Sequence, residues 1–191
     1  MNRTDKMKRI FIALKVEAGE TLLKMVSSLK SDLSKDSIKW TSIDNIHITL
    51  AFLGDTEEKL IKSISSMLKE KCKGSGNFQL IIRGLGVFRN PGDPRIIWTG
   101  VELSEKLVRL NEAILDGLRG LNIKLEDRPF NPHLTIGRIK HLNNKETLRT
   151  LLGQYQDSEI QIIPVNEVIL YESILLQSGP VYKPLAKFSL E

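Results

Sequence analysis

The chain carries three histidines, and two of them open the same four-residue pattern, His47-Ile48-Thr49-Leu50 and His133-Leu134-Thr135-Ile136. Along a β-strand, successive side chains point to opposite faces. His and Thr two residues apart therefore share one face, and the aliphatic residues between them share the other. Each tetrapeptide reads as a core strand that shows one imidazole and one hydroxyl to open space. Thr fills only 9 of 191 positions, so a given His has roughly a one-in-twenty chance of meeting a Thr at that distance. Imidazole titrates near neutrality, with an ordinary pKa of about 6.5, so one of two facing rings can be neutral while the other holds a proton. Concerted acid–base catalysis needs that asymmetry. A base on one side and an acid on the other suit in-line displacement at phosphorus, where attacking and leaving oxygens lie on opposite sides of one atom. Thr49 and Thr135 would then donate to the non-bridging phosphate oxygens. Arg138 offers a planar cationic fork for the same group. Strict alternation puts Arg138 on the face opposite His133, so it joins the site only if the strand twists, bulges or ends there.

Metal-assisted chemistry would call for three or more converging His, Asp or Glu ligands. The two motifs contain no carboxylate, and Asp44, beside the first, aligns with Phe130 beside the second. The third histidine, His141, lies between Lys140 and Leu142 and is expected on the surface. No glycine-rich loop ends in Lys-Ser or Lys-Thr, so a P-loop for ATP is not expected. The expectation is no metal and no cofactor. The single cysteine, Cys72, rules out an internal disulfide and suits a reducing cytosol; it is read as incidental rather than nucleophilic. Net charge is +5 with pI near 9.3, a modest excess that fits a polyanionic ligand such as RNA. Lys124, Arg128, Arg138, Lys140, Lys145 and Arg149 gather around the second motif, most of them expected as solvated charges. No apolar stretch nears the length needed to cross a membrane. The short run Arg9 to Leu14 reads as a first strand, not a signal peptide.

The elements that hold these residues follow from hydrophobic spacing. Residues 9–16 read as a strand, and Leu22, Met25, Val26, Leu29 and Leu33 mark an amphipathic helix over 20–33. The first histidine strand spans 46–53, ended by Gly54-Asp55. Thr56 is expected to cap a second helix that runs to about residue 71, with Gly74 to Asn77 breaking it. Residues 78–88 read as a strand with a bulge near Gly84 and Gly86. Asn90 to Pro94 is a turn-rich joint, and Arg95 to Val101 a strand. Ser104 caps a helix carrying Leu107, Leu110, Ile114, Leu115 and Leu118. The second histidine strand covers 133–139. Asn144 caps a short helix to about Leu152, stopped by Gly153, and residues 159–163, 165–173 and 180–189 close the chain as strands.

The order of elements repeats. Arg9 and Arg95, Asn45 and Asn131, and His47 and His133 stand 86 residues apart. A repeated strand–helix–histidine strand–helix–strand unit implies internal duplication and two similar lobes. With no low-complexity segment or flexible linker, residues 1–191 are expected to form one compact bilobal domain, monomeric because one chain already supplies both lobes. If the lobes pack about a pseudo-two-fold axis, the two imidazoles face each other across the join.

The paired motifs and their flanks resemble the two-histidine phosphoesterase superfamily, and within it the RNA 2′,3′-cyclic phosphodiesterase family, also called 2′-5′ RNA ligases. The resemblance is carried by Arg9 to Leu14, by Trp40 with Asn45 to Gly54, by Pro94 to Trp98, and by Arg128 to Arg138. Ile136 stands where that family usually has Leu. The resemblance implies an α+β fold of two pseudo-symmetric lobes, each with an antiparallel sheet and two helices, around a central cleft. It implies opening of 2′,3′-cyclic phosphates at RNA 3′ ends to 2′-phosphomonoesters, which the absence of carboxylates from the motifs makes a metal-independent reaction; tRNA fragments, other cleaved RNA and small cyclic nucleotides are all candidate substrates. It makes His47 the proton donor to the departing 3′ oxygen and His133 the acceptor towards water, an order that the near-symmetric halves do not reveal by themselves. Phe11 and Phe52 are read as stacking surface for a terminal base, with Phe52 placed on the face of His47 and Thr49 and a core role for Phe11 left open. The alternatives are ATP-independent 2′-5′ joining of RNA ends at the same site and a non-catalytic RNA or nucleotide binder.

Overall fold

A computed structural model describes residues 6–89, 93–126, 128–177 and 179–191; Asn90, Pro91 and Gly92 of the expected joint lie outside the described residues. The chain order is β1 (Met7–Lys15), α1 (Glu20–Asp32), β2 (Ser37–Trp40), a 3₁₀ turn (Ile43–Asn45), β3 (His47–Glu57) and α2 (Leu60–Cys72). It continues with β4 (Phe78–Arg89), β5 (Pro94–Val101), α3 (Glu105–Gly120), β6 (His133–His141) and α4 (Lys145–Tyr155). β7 (Glu159–Val165), β8 (Glu167–Leu176) and β9 (Gly179–Ser189) complete it. Local chemistry accounts for the helix starts that spacing predicts. The Ser104 hydroxyl accepts from Leu107 N at 3.2 Å, and the Asn144 amide oxygen accepts from Glu146 N and Thr147 N at 3.0 and 3.2 Å, satisfying donors that the first helical turn leaves unpaired.

Every strand pair is antiparallel, in the order β7-β4-β5-β6-β3-β1-β8-β9, with β2 added to β6. The path is symmetric about its centre. β3-β1-β8-β9 forms one half-sheet and β6-β5-β4-β7 the other. Between them β3 and β6 meet at a single bridge, Ile48 to Leu134, and then part. β2 takes up the freed edge of β6, Trp40 pairing with Gly137. α2 packs on β3, β8, β9 and α3, and α3 on β3; α1 lies against β7, and α4 against β4. Each half-sheet thus gains two helices, giving the α+β architecture of two similar lobes.

The lobes are not the two halves of the chain. β4, from the first half, completes the second lobe between β5 and β7, while β8 and β9, from the second half, complete the first beside β1. α1 and α3 cross over as well. Two boundaries also differ from expectation. Thr56 caps no helix: β3 stays paired with β1 as far as Glu57, Gly54 at φ +68 absorbs the bend, and α2 begins at Leu60 without a side-chain cap. Gly153 does not stop α4, which continues to Tyr155. Most buried side chains form one cluster between helices and sheet, from Ile10 and Leu22 to Leu190. A second, smaller cluster of Phe11, Ala13, Ile169 and Tyr171, with Tyr182 against it, lies apart from the first.

Candidate active site

Antiparallel pairing at Ile48 and Leu134 dictates where the motif side chains stand. One residue further along each strand, His47 comes opposite Thr135 and His133 opposite Thr49. The two imidazoles are then diagonal neighbours on one face, a relation that separates side-chain roots by about 7 to 8 Å. Their electrostatic contact is felt directly: His133 helps depress the pKa of His47. All four residues are half-buried, and neither threonine hydroxyl is bonded to any described residue.

Both histidine strands then break step at the same place. On β3, Thr49 pairs with Ala13 but Ala51 pairs with Ile12, so Leu50 is an extra residue. On β6, Thr135 pairs with Trp98 but Gly137 pairs with Ile97, so Ile136 is extra. Each bulge falls on the fourth residue of its tetrapeptide and buries two residues in a row, Leu50-Ala51 and Ile136-Gly137. The next side chain returns to the cleft face. That side chain is Phe52 on β3 and Arg138 on β6, each five residues after its histidine. Phe52 therefore reaches the His47 face because of the bulge; unbroken alternation would have turned it away. The same device brings round Arg138, against simple alternation. Both are exposed, Phe52 to 40%, and the Arg9 guanidinium sits 4.9 Å over the Phe52 ring, a cation–π contact. Strand pairing places Ala13 and Trp98 at corresponding positions, 85 residues apart, so Arg9 and Arg95 are one residue out of correspondence.

The two imidazoles are held in one tautomer. His47 Nδ1–H donates to the Asn45 carbonyl at 2.7 Å, and His133 Nδ1–H donates to the Asn131 carbonyl at 2.8 Å. A carbonyl only accepts, so each neutral ring carries its proton on Nδ1 and keeps the Nε2 lone pair for the cleft. Aromatic rings flank each one. Phe11 lies 4.9 Å from His47, and Tyr182 meets it edge-on at 5.0 Å. Phe88 meets His133 edge-on at 4.9 Å and stacks on Trp98 at 5.2 Å. Phe11, expected as stacking surface, is only 3% exposed. Its ring stacks on Tyr171 at 5.2 Å and seats His47 from below, so it offers no face to a base. Tyr182, Tyr171 and Phe88 belong to this setting and were missed in the sequence, because they sit on strands far from either motif with no spacing to mark them; Trp98 belongs to it too and entered the sequence reading only as a carrier of the resemblance. Burial pushes the His47 pKa below its ordinary value; the Asn45 hydrogen bond opposes that, and His133 adds to it.

Around the site the charges are partly spoken for. Arg128 faces Glu126 at 3.4 Å, Lys145 faces Asp93 at 2.7 Å and Arg149 faces Glu146 at 3.8 Å. His141 bonds Asn143 on the surface at 3.1 Å. Among the described residues, no three His, Cys, Asp or Glu side chains converge as metal ligands would. Cys72 is fully buried and its thiol is pushed up to about 11 by burial, which leaves it inert. Beside Gly100, the residue opposite His133 on β5, an open hollow of about 630 Å³ runs between Trp98, Arg83, Glu102 and Gln156. No helix among the described residues is long and apolar enough to cross a membrane.

This chain is similar to proteins of known family and structure. The sequence pattern of the 2′-5′ RNA ligase superfamily matches residues 44–173. An RNA 2′,3′-cyclic phosphodiesterase of Methanothermobacter thermautotrophicus is 33% identical over 184 residues, which span 95% of this chain and 98% of that protein. A solved structure from Thermus thermophilus superposes with a TM-score of 0.78 at 27% identity, covering 95% of this chain and 97% of the other. E. coli LigT complexed with 3′-AMP superposes at 0.74 with 20% identity, covering 96% and 98%; at that identity the likeness concerns the fold.

Proposed function

Because the chain belongs to the 2′-5′ RNA ligase superfamily, we propose that it hydrolyses 2′,3′-cyclic phosphates at RNA 3′ ends, tRNA fragments among them, to 2′-phosphomonoesters. In this reaction a water oxygen bonds to phosphorus as the bond from phosphorus to the 3′ oxygen breaks. His133 Nε2 takes the proton from water, and His47 Nε2 gives one to the 3′ oxygen. Thr49, Thr135 and Arg138 hold the non-bridging oxygens, and exposed Phe52 stacks on the terminal base. The observation that carries this reading is the matched pair of Nδ1–H bonds to backbone carbonyls, which frees both Nε2 atoms for the same cleft. The lowered pKa of His47 is compatible with an acid role, since a bound phosphate anion beside it favours the imidazolium. No step needs a metal ion. The reading takes the whole chain as one duplicated, monomeric unit, working in the cytoplasm.

The test is incubation with a nucleoside 2′,3′-cyclic phosphate in the presence of chelator, followed by identification of the product isomer. A 2′-phosphate at undiminished rate is expected. Tight binding without turnover would instead assign a non-catalytic nucleotide binder, and a 3′-phosphate product would overturn the choice of leaving oxygen. His47→Ala and His133→Ala should each lower kcat/KM by about a hundred- to ten-thousandfold, the usual span for a lost acid or base, with unchanged thermal melting.

The open hollow lined by Trp98 and Gly100, the strand partners of Thr135 and His133, favours a second reading on the same atoms. A 5′-hydroxyl seated there takes the place of water: its oxygen bonds to phosphorus, its proton goes to His133, and the 3′ oxygen leaves with the proton of His47. The product is a 2′-5′ linkage formed without ATP. Hydrolysis dominates in dilute solution, so joined product is expected only with concentrated RNA bearing a free 5′-hydroxyl.

A further inference from the structure

The two histidines differ in what holds them. Both are pinned through Nδ1, but among the described residues only at His47 does the pinning residue also grip a separate element. The Asn45 carbonyl accepts from His47, while the Asn45 side-chain amide donates to the Pro180 carbonyl at 2.9 Å. Two residues beyond Pro180, the Tyr182 ring stands edge-on to His47 at 5.0 Å and 86°, and edge-on to Phe11 at 4.9 Å and 74°. Phe11 is the floor beneath the imidazole and Tyr182 its wall. At His133 the corresponding wall is Phe88, on a stretch of β4 paired with β5 alone, because the pairing of β4 with β7 ends at Arg83. Tyr182 likewise rides on β9, bonded to β8 alone at the rim of the sheet. Both walls have backbone support on one side only, and the side-chain tether from Asn45 is what sets the seat of His47 apart.

We infer that the β8–β9 hairpin is the positioning element of His47: the Tyr182 ring keeps water from the imidazole and fixes its plane, and Asn45 ties the hairpin in place. The inference rests on the proposed acid–base role of His47 and adds residues that neither motif contains. The ionisable groups facing this imidazole are Lys15, its pairing partner on β1, His133 on β6 and Tyr182, while Arg9 and Arg138 face the Tyr182 wall and Tyr171 stacks beneath the Phe11 floor. Arg9 and Arg138 act on the Tyr182 phenol, which burial raises above its ordinary pKa and these two guanidiniums draw down.

The experiment is an NMR titration of the His47 ring in the wild-type protein and in Tyr182→Phe, Tyr182→Leu and Asn45→Ala, each with its kcat, KM and pH–rate profile. Tyr182→Phe keeps the wall and is expected to leave the titration in place and kcat within about twofold. Tyr182→Leu opens the wall. The His47 pKa should rise towards the ordinary value, the limb of the rate profile that follows His47 should move up with it, and kcat should fall about ten- to hundredfold with KM little changed, as a misplaced catalytic group predicts. Asn45→Ala leaves both rings intact and should move all three readouts in the same direction, which keeps the test open if Tyr182→Leu folds poorly. A His47 titration unmoved in Tyr182→Leu or Asn45→Ala would overturn the inference, and so would Tyr182→Phe proving as impaired as Tyr182→Leu. The titration needs no turnover, so failure of the proposed reaction is read separately from failure of the positioning.

Discussion

At the scale of single residues, the site is defined by which atoms are left over once the backbone is satisfied. Asn45 and Asn131 each offer a carbonyl to the ring two residues on, and that one bond decides the tautomer and hence the working nitrogen. His47 also carries a cost that can be measured without substrate. Burial lowers its pKa in the folded state, whereas the unfolded chain binds protons with the ordinary value of about 6.5. Below that value the unfolded state holds more protons, so the contribution of this residue is fully present above about pH 6.5 and is lost as pH falls through the folded pKa. The difference in melting temperature between wild type and His47→Gln should therefore be flat at and above about pH 7. As pH falls below about 6.5 the wild type should weaken relative to the variant; a difference that does not change with pH would count against the buried imidazole. Both tetrapeptides were legible in the sequence because their spacing is local. Tyr182 was not, since its meeting with His47 joins strands from opposite ends of the chain.

At the scale of elements, the two bulges are what turn a strand into a site. Each inserts one residue after the His-x-Thr triplet and brings the fifth residue after the histidine, Phe52 or Arg138, back to the cleft. Period-two reasoning cannot see an inserted residue, so Arg138 was left conditional; Phe52 was put on the His47 face by alternation, although residues five apart alternate to opposite faces and only the bulge brings it round. The strand behind His133 shows the matching need for space. A Cβ on Gly86 would sit 2.2 Å from the Trp98 ring, so Gly86→Ala must push aside the indole on which Phe88 stacks. A loss of about 1 to 3 kcal/mol is expected for such overpacking, read by urea denaturation, together with a fall in kcat. Gly153 is the contrast. It lies inside α4, and a Cβ there would meet nothing within 4 Å, so Gly153→Ala should stabilise the protein by about 0.5 to 1 kcal/mol through helix propensity alone. Equal effects at the two glycines would contradict this account.

At the scale of the whole molecule, the halves of the sequence exchange strands. β4 completes the lobe built on the second motif, and β8 with β9 completes the lobe built on the first. Neither half holds a finished core. A fragment of residues 1–89 keeps β3 beside β1 but lacks β8, the other partner of β1, and both partners of β4, so Ile10, Ile12, Leu80 and Ile82, all buried in the intact chain, lose part of their cover. Separate fragments of residues 1–89 and 93–191 should each be unfolded by circular dichroism, and mixing them should restore cooperative melting and cyclic phosphodiesterase activity. A first fragment that melts cooperatively on its own would show that a half of the sequence is a lobe after all.

The sequence by itself determined the two histidine strands, the order and type of nearly all the elements, and the α+β class, because these follow from residue type and short-range periodicity. Only the tertiary structure decided which strands share a lobe, which rings enclose each imidazole, and which side chains the bulges restore to the cleft. Pairing between distant strands obeys long-range burial and register, and neither leaves a mark within any window of neighbouring residues.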